Sequence, residues 1–276
     1  MTASADAEAT VEGETPEDDV GGVNPEDDVE MGFFDHLGEL RYRLIRSLYG
    51  LIPGVAVGWI LREELLGALI EPFRLGWVSV GMEGDPKLVF LNPIDPFVAY
   101  LKIALMVGVL IGGPWLFWQL WAFIAPGLYR KEKRLAIPFV LIATLFFVGG
   151  LSFGYYVVFP LAFEYFLEFA VILPGGVTLE PTIAISEILT FEVRMLLAFG
   201  IVFELPVVIS FMALAGIVNW KQLLRFSRWW VLIATILSSL LTPPDVGSQL
   251  LMLGPLIFLW FVSVFFAWVI GRKKVD

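Results

Sequence analysis

The stretch LLAFGIVFELPVVISF, Leu196 to Phe211, is suited to hydrocarbon, yet it carries Glu204 near its middle and Pro206 two positions later. Fifteen of its sixteen residues are uncharged. A charged side chain at the centre of a bilayer costs about 2.5–3.5 kcal/mol on insertion scales. Proline removes a helix hydrogen bond and its ring clashes with the carbonyl four residues back. The segment therefore reads as a membrane span with a polar defect built into it. Two readings fit Glu204. In one, it is hydrogen-bonded to a neighbouring helix or to the carbonyl that Pro206 frees. In the other, it forms a polar patch in a groove that accepts a polar client or partner.

The whole chain has this character. Its 276 residues are 58 % hydrophobic and only 17 % charged, with 24 Phe and 10 Trp, and its mean hydropathy is +0.81. A soluble domain is roughly half apolar and about a quarter charged. Several windows of about 18 residues or more hold few charges, the mark of a polytopic helical membrane protein. They do not alternate polar with apolar residues as barrel strands do. Cysteine is absent, which excludes disulfides, iron–sulfur centres and thiol catalysis.

The net charge of −10 comes from one end. Residues 1–30 hold eleven acidic residues and no Lys or Arg, and they repeat PEDDV at Pro16–Val20 and Pro25–Val29. A segment of this composition is expected to be disordered. It is either a solvating tail or an extension upstream of a start at Met31. Residues 31–276 are then the membrane domain. No basic stretch followed by a short apolar run opens the chain, so the first span is expected to direct insertion itself.

Six spans are expected, at about 44–61, 97–124, 135–159, 188–217, 229–241 and 250–270. The fifth is short against the roughly 20 residues that a bilayer requires, which suggests thinned lipid or burial among neighbours. Amphipathic pieces flank the first span: FFDHLGELRYRL before it, where Asp35 can cap a short surface helix, and REELLGALIEPFRLGW after it. Arg41, Arg43, Arg46, the Arg130–Arg134 cluster, Lys221, Arg225, Arg228 and Arg272–Lys274 fall on one side. Arg62, Arg74, Lys87, Lys102 and Arg194 fall on or near the other. By the positive-inside rule both termini are cytoplasmic.

Four motifs hold candidate functional residues. HLGELRYRL sets Glu39, Arg41 and Arg43 at the water interface. Glu39 and Arg43 are four apart, the spacing of an ordinary helix-surface pair. His36 is the only histidine, too little for a zinc site or a catalytic triad. YRKEKRL places Glu132 alone among four cations. That carboxylate either balances the loop's charge or joins a second one to hold a pair of guanidiniums, because arginine forks pair bidentately with carboxylates. The third is Glu204 in its apolar span. LLTPPDVGSQLL, the fourth, puts Ser238, Ser239, Thr242 and Gln249 near the ends of two facing helices. Pro243 and Pro244 force the turn and Asp245 can cap the next helix. Gln249 is of the kind that holds helices together.

In this order the motifs resemble the TatC family, the signal-peptide receptor subunits of the twin-arginine protein translocase. The likeness runs from about Phe33 to Ile270 and rests on HLGELRYRL, WQLWAFIAPGLYRKEKR, YYVVFPLAFEYF, AFGIVFELP and LLTPPDVGSQ. The chain departs from the commonest pattern in its acidic leader and in RKEKR around Glu132.

The resemblance implies an all-α polytopic membrane protein whose six transmembrane helices form a concave, cup-like bundle, multi-pass in the cytoplasmic (inner) membrane of a prokaryote. It implies that Glu39 and Glu132 receive the paired arginines of signal peptides on folded precursors, with Arg41 and Phe123 supporting that site. A low-dielectric interface favours such guanidinium–carboxylate pairing. Glu204 matches the family's intramembrane acid, which would open a polar notch in the concave face, with Pro206 bending the helix. Thr242 and Gln249 match the place where a small single-span subunit, TatA-like or TatB-like, docks. Other TatC copies and the lipid bilayer are further expected partners. The proton gradient supplies the energy, with no catalytic residue, cofactor, metal or nucleic acid involved.

Two other classes fit less well. A secondary transporter of a small solute usually shows internal repeats with broken spans in corresponding positions, and no clear repeat is visible here. An intramembrane enzyme needs a nucleophile–base pair or metal ligands at membrane depth, which the residue inventory does not supply.

Overall fold

A computed structural model describes residues 33–82, 84–124, 136–170, 181–242 and 245–272. The acidic stretch 1–30 and Glu132 lie outside them, as do Pro243 and Pro244. The chain divides after Gly38. Of its first part, residues 33–38 are described, as the opening of the first helix. The second part, 39–276, contains the rest of the fold.

Helix α1 runs from Phe33 to Ile60 and includes Pro53 without ending there. The amphipathic piece and the first expected span are therefore one helix, and Asp35 falls inside its first turn rather than before it. The chain bends by 80° at Leu61 into α2, Arg62–Ser79. The Arg62 guanidinium donates to the Trp59 carbonyl at 3.0 Å, which satisfies one of α1's last acceptors. Glu63 and Glu64 then stand in the first turn of α2, where the helix dipole favours acids.

Helix α3, Asp95–Ile124, lies against α1 along a line of small residues. Gly50, Gly54 and Gly58, one per turn of α1, face Gly112, Gly108 and Ala104 of α3. A Cβ on Gly58 would sit 2.9 Å from the Ala104 Cα. Without a hydrophobic drive between helices in lipid, small residues secure association by letting backbones approach. The Trp115 indole N–H donates to the Arg46 carbonyl at 3.0 Å on the same seam.

Ala136 to Leu167 is one long helical segment: α4, Ala136–Phe153, a π-helical turn at Gly154–Val158, and α5, Phe159–Leu167. A Cβ on Gly150 would lie 2.5 Å from the Phe199 carbonyl oxygen, so α4 packs directly on the next span's backbone. In the π turn the Tyr155 hydroxyl donates to the Ala68 carbonyl of α2 at 2.6 Å. Two connecting segments meet as a minimal parallel sheet, β1 (Leu88–Val89) against β2 (Ile183–Ala184), with Leu88 opposite Ile183.

The span that carries Glu204 is two helices, α6 (Ile185–Phe203) and α7 (Leu205–Leu214), joined at Glu204. Helix α8, Trp220–Leu241, begins well before the expected Trp229. The reason is a capping box: Asn219 accepts from the Lys221 N–H at 3.2 Å, and its own N–H donates to the Gln222 side chain at 2.9 Å. The basic connector is thus helical, and 22 residues reach about 33 Å, so this span is not short. Helix α9, Val246–Arg272, is capped as expected by Asp245, which accepts from the Ser248 N–H at 2.7 Å.

Helix α9 packs on α7 and α8, α4 on α3 and α6, and α2 on α5. Phe73, Phe159, Phe199, Leu189 and Met195 are fully buried, as are Met252 and Leu256. Trp230 stacks on Trp260 at 4.7 Å between centroids and donates to the Leu256 carbonyl at 3.2 Å. Large apolar side chains also face outward: Leu145 and Leu240 are each 70 % exposed and Phe258 67 %. Such surface is unfavourable in water and at ease in lipid. Among the described residues, five helical segments are long and apolar enough to cross a membrane, or six if the bent α1–α2 pair counts as one. The protein is an all-α polytopic membrane protein.

Candidate functional site

The antiparallel α1–α3 seam defines a register. Each step back along α1 from Gly58 to Gly54 to Gly50 is matched by an equal step forward along α3 from Ala104 to Gly108 to Gly112. Continued to the helix ends, it brings Glu39 to the level of Phe123. Sequence resemblance assigned these two residues to one site, and the helix pair sets them at one height. Phe123 is half-buried in the last turn of α3. The Glu39 carboxylate accepts from Nε of Arg43 at 2.8 Å and from Nη2 of the same guanidinium. The expected helix-surface pair is thus present, with only 17 % of the Glu39 side chain exposed. Arg41 is exposed and, two residues from Glu39, projects from a different side of the helix. Glu132 lies outside the described residues.

Glu204 occupies the joint between α6 and α7. Its N–H donates to the Ile201 carbonyl at 3.0 Å, a tightened last turn, and its carbonyl accepts from Val208 at 2.9 Å. Pro206 falls in the first turn of α7, where a missing N–H leaves no bond unmade. The Glu204 Oε1 atom is buried with no hydrogen-bond partner among the described residues. Pro206 also lines an apolar cavity of about 440 Å³ with Phe139, Val207, Phe211 and Phe266.

A second intramembrane acid escaped the sequence reading. Glu192, in α6, has no exposed surface, and neither carboxylate oxygen has a hydrogen-bond partner among the described residues. In sequence it stands two residues from Arg194. On a helix that spacing turns the two side chains to nearly opposite sides. The usable signal was periodicity: Glu192 shares a stripe with Ile188, Met195, Leu196 and Phe199, all buried.

Thr242 and Gln249 are brought together through Ser238. The Thr242 hydroxyl donates to the Ser238 carbonyl at 2.9 Å, and the buried Ser238 hydroxyl donates to the Gln249 carbonyl at 2.6 Å. The Gln249 amide reaches the Thr235 carbonyl at 3.4 Å. These groups fasten α8 to α9. Leu240, Val246 and Leu250 stand exposed around them as an apolar face. Among the described residues no cluster of His, Asp or Glu is arranged to hold a metal ion.

The family model for the Sec-independent protein translocase protein (TatC) matches residues 35–255. The Sec-independent protein translocase protein TatC of Desulforapulum autotrophicum is 40 % identical over 242 residues, covering 88 % of this chain and 86 % of that one. The TatC protein of Koribacter versatilis is 34 % identical over 245 residues, covering 88 % of each. Among solved structures, a crystal structure of the twin-arginine translocase receptor TatC superposes with a TM-score of 0.74 at 32 % identity, over 87 % of this chain and all of that one. The chain belongs to the TatC family, and is a multi-pass membrane subunit of a protein translocase.

Proposed function

We propose that this chain is the precursor receptor of a twin-arginine translocation system. It binds the twin-arginine signal peptides of folded precursors at the cytoplasmic rim, with Glu39 and Glu132 as the accepting carboxylates and Arg41 and Phe123 in support. The observation that carries this reading is the state of Glu39, which already takes two N–H donors from one guanidinium, Arg43. An arginine from a client finds there a carboxylate that already binds a guanidinium, both of whose N–H groups meet its Oε1. It also finds an aromatic ring at the same height. The solved relative described as a twin-arginine translocase receptor supports the same role.

In this proposal both termini are cytoplasmic and the helices form a cup around Glu204. The apolar face at Leu240, Val246 and Leu250, braced by Thr242 and Gln249, receives the transmembrane helix of a TatA-like or TatB-like subunit. Further copies of the chain assemble beside it, and the proton gradient drives export.

The test is photocrosslinking from a leader peptide to the full chain in membranes. A leader with Arg-Arg is expected to crosslink and the same leader with Lys-Lys is expected to lose most of the product. Glu39→Ala and Glu132→Ala are expected to weaken the product while membrane insertion stays intact. Unchanged crosslinking in both variants would remove the proposal.

A further inference from the structure

A polar cavity of about 450 Å³ opens between α6 and α8, away from the residues assigned above to signal-peptide binding. Ser186, Thr190 and Arg194 of α6 and Thr242, the residue after α8, line it, with the exposed Glu187 among its walls. Phe191 and Leu241 add apolar surface.

One cation, Arg194, lines this cavity, and a second, Lys102, reaches its wall through a hydrogen bond to Thr190. Arg194 is exposed, and it makes no hydrogen bond or ion pair among the described residues. It sits about 13 Å along the helix from the start of α6, inside a 30-residue candidate span. A guanidinium there is costly unless paired or wetted. Helix side chains lean toward their own N-terminus, so Arg194 is directed toward Thr190 and Glu187. The second cation, Lys102, comes from α3. Its ammonium donates to the Thr190 hydroxyl at 2.6 Å, and that hydroxyl in turn donates to the Ser186 carbonyl. A neutral hydroxyl is a poor match for an ammonium. Neither cation meets a carboxylate among the described residues, and Thr190 holds the Lys102 ammonium at the cavity wall.

We propose that this cavity binds the headgroup of a membrane phospholipid, with the phosphate on Arg194 and Lys102. Phosphate supplies several charged acceptors to a fork and an ammonium together. Glu187 stands two turns nearer the helix start than Arg194 and offers a carboxylate to a cationic amine. The arrangement of cations deep and acid above matches a zwitterionic phosphoethanolamine better than a purely anionic group. A lipid is the source because the site lies within a span and has apolar walls. The acyl chains continue along the exposed apolar surface, whereas a free phosphate would lose its hydration beside Phe191 and Leu241 with nothing gained there.

The test uses the full-length chain, purified and delipidated in detergent, with native mass spectrometry as the readout. The probes are phosphatidylethanolamine, phosphatidylglycerol and diacylglycerol with the same acyl chains, and inorganic phosphate as competitor. Phosphatidylethanolamine is expected to bind about tenfold more tightly than diacylglycerol, the scale of one charge-assisted phosphate contact. R194Q and K102M are each expected to weaken phosphatidylethanolamine by about the same factor. E187Q is expected to shift preference from phosphatidylethanolamine toward phosphatidylglycerol. Tryptophan fluorescence checks folding, and if R194Q does not fold, K102M and E187Q decide the question. Equal affinity for diacylglycerol, or unchanged binding in every folded cation variant, overturns the site. Displacement of the lipid by an equal concentration of inorganic phosphate makes it a soluble-anion site and overturns the lipid assignment. An unmoved preference in E187Q overturns the zwitterion.

Discussion

Gly54 of α1 and Gly108 of α3 meet so closely that a Cβ on Gly54 would lie 2.9 Å from the Gly108 Cα. The obstructing atom is backbone, which has no rotamer to yield. This contact holds the register that brings Glu39 to the level of Phe123. Gly54→Leu is expected to destabilise the protein by about 1–3 kcal/mol, the usual cost of overpacking, and to weaken leader crosslinking with it. Gly67 in α2 is the control, since a Cβ there meets nothing within 4 Å. Gly67→Ala should raise stability by about 0.5–1 kcal/mol through helix propensity. Thermal melts in one detergent check both, and a fully stable Gly54→Leu variant would sink the close-packed seam.

Arg43 occupies the carboxylate that a client's arginine would use. If the two compete, Arg43→Ala leaves leader crosslinking at the wild-type level or above it. Glu39→Gln keeps the shape and removes the charge, and it is expected to cut crosslinking about tenfold or more, since charge-assisted hydrogen bonds contribute about 1.5–3 kcal/mol. Loss of crosslinking in Arg43→Ala as severe as in Glu39→Gln would show that Arg43 acts with the carboxylate, not as a placeholder on it.

Glu204 tests polarity against charge. Its carboxyl is half-buried at a helix joint with Oε1 unpartnered among the described residues. Glu204→Gln preserves size and hydrogen-bonding ability. Glu204→Arg adds an ion that is costly at this depth. Export of a folded reporter with a twin-arginine leader is expected to survive the first change far better than the second. Equal loss in both would mean that the carboxylate itself is required.

Glu192 is fully enclosed, and its two carboxylate oxygens have no partner among the described residues. A buried polar atom without a partner costs about 1–3 kcal/mol, and apolar replacements of similar volume are often stabilising. Glu192→Leu should therefore raise the thermal midpoint. A lowered midpoint would mean that the carboxyl is satisfied in the membrane, by water or another group. A raised midpoint together with lost export would mark Glu192 as a functional acid held at a cost in stability.

The parts of this protein legible in its sequence are those governed by local rules. Apolar runs mark spans because the bilayer sets the length of hydrocarbon that a helix must cross, whatever its neighbours. The Glu39–Arg43 pair and the Asp245 cap follow from spacing along one helix, and the joint at Glu204 from the proline two residues on. The helical start of α8 was available too, in the Asn219–Gln222 capping box, although the span was expected to begin only at residue 229.

Other features depend on which segments meet, and that is a tertiary matter. Leu88 and Ile183 pair across some ninety residues in strands too short to have a pattern. Lys102 and Thr190 are as remote in sequence, yet the Lys102 ammonium donates to the Thr190 hydroxyl at the wall of a cavity. Glu192 and Arg194 are two residues apart; one is sealed in and the other exposed, because they project from nearly opposite sides of α6. Local chemistry determined which segments are helical spans and some of their end signals. The three-dimensional packing decided their register, and with it which charges share a site, because the order of residues along one helix does not say which other helix its face meets.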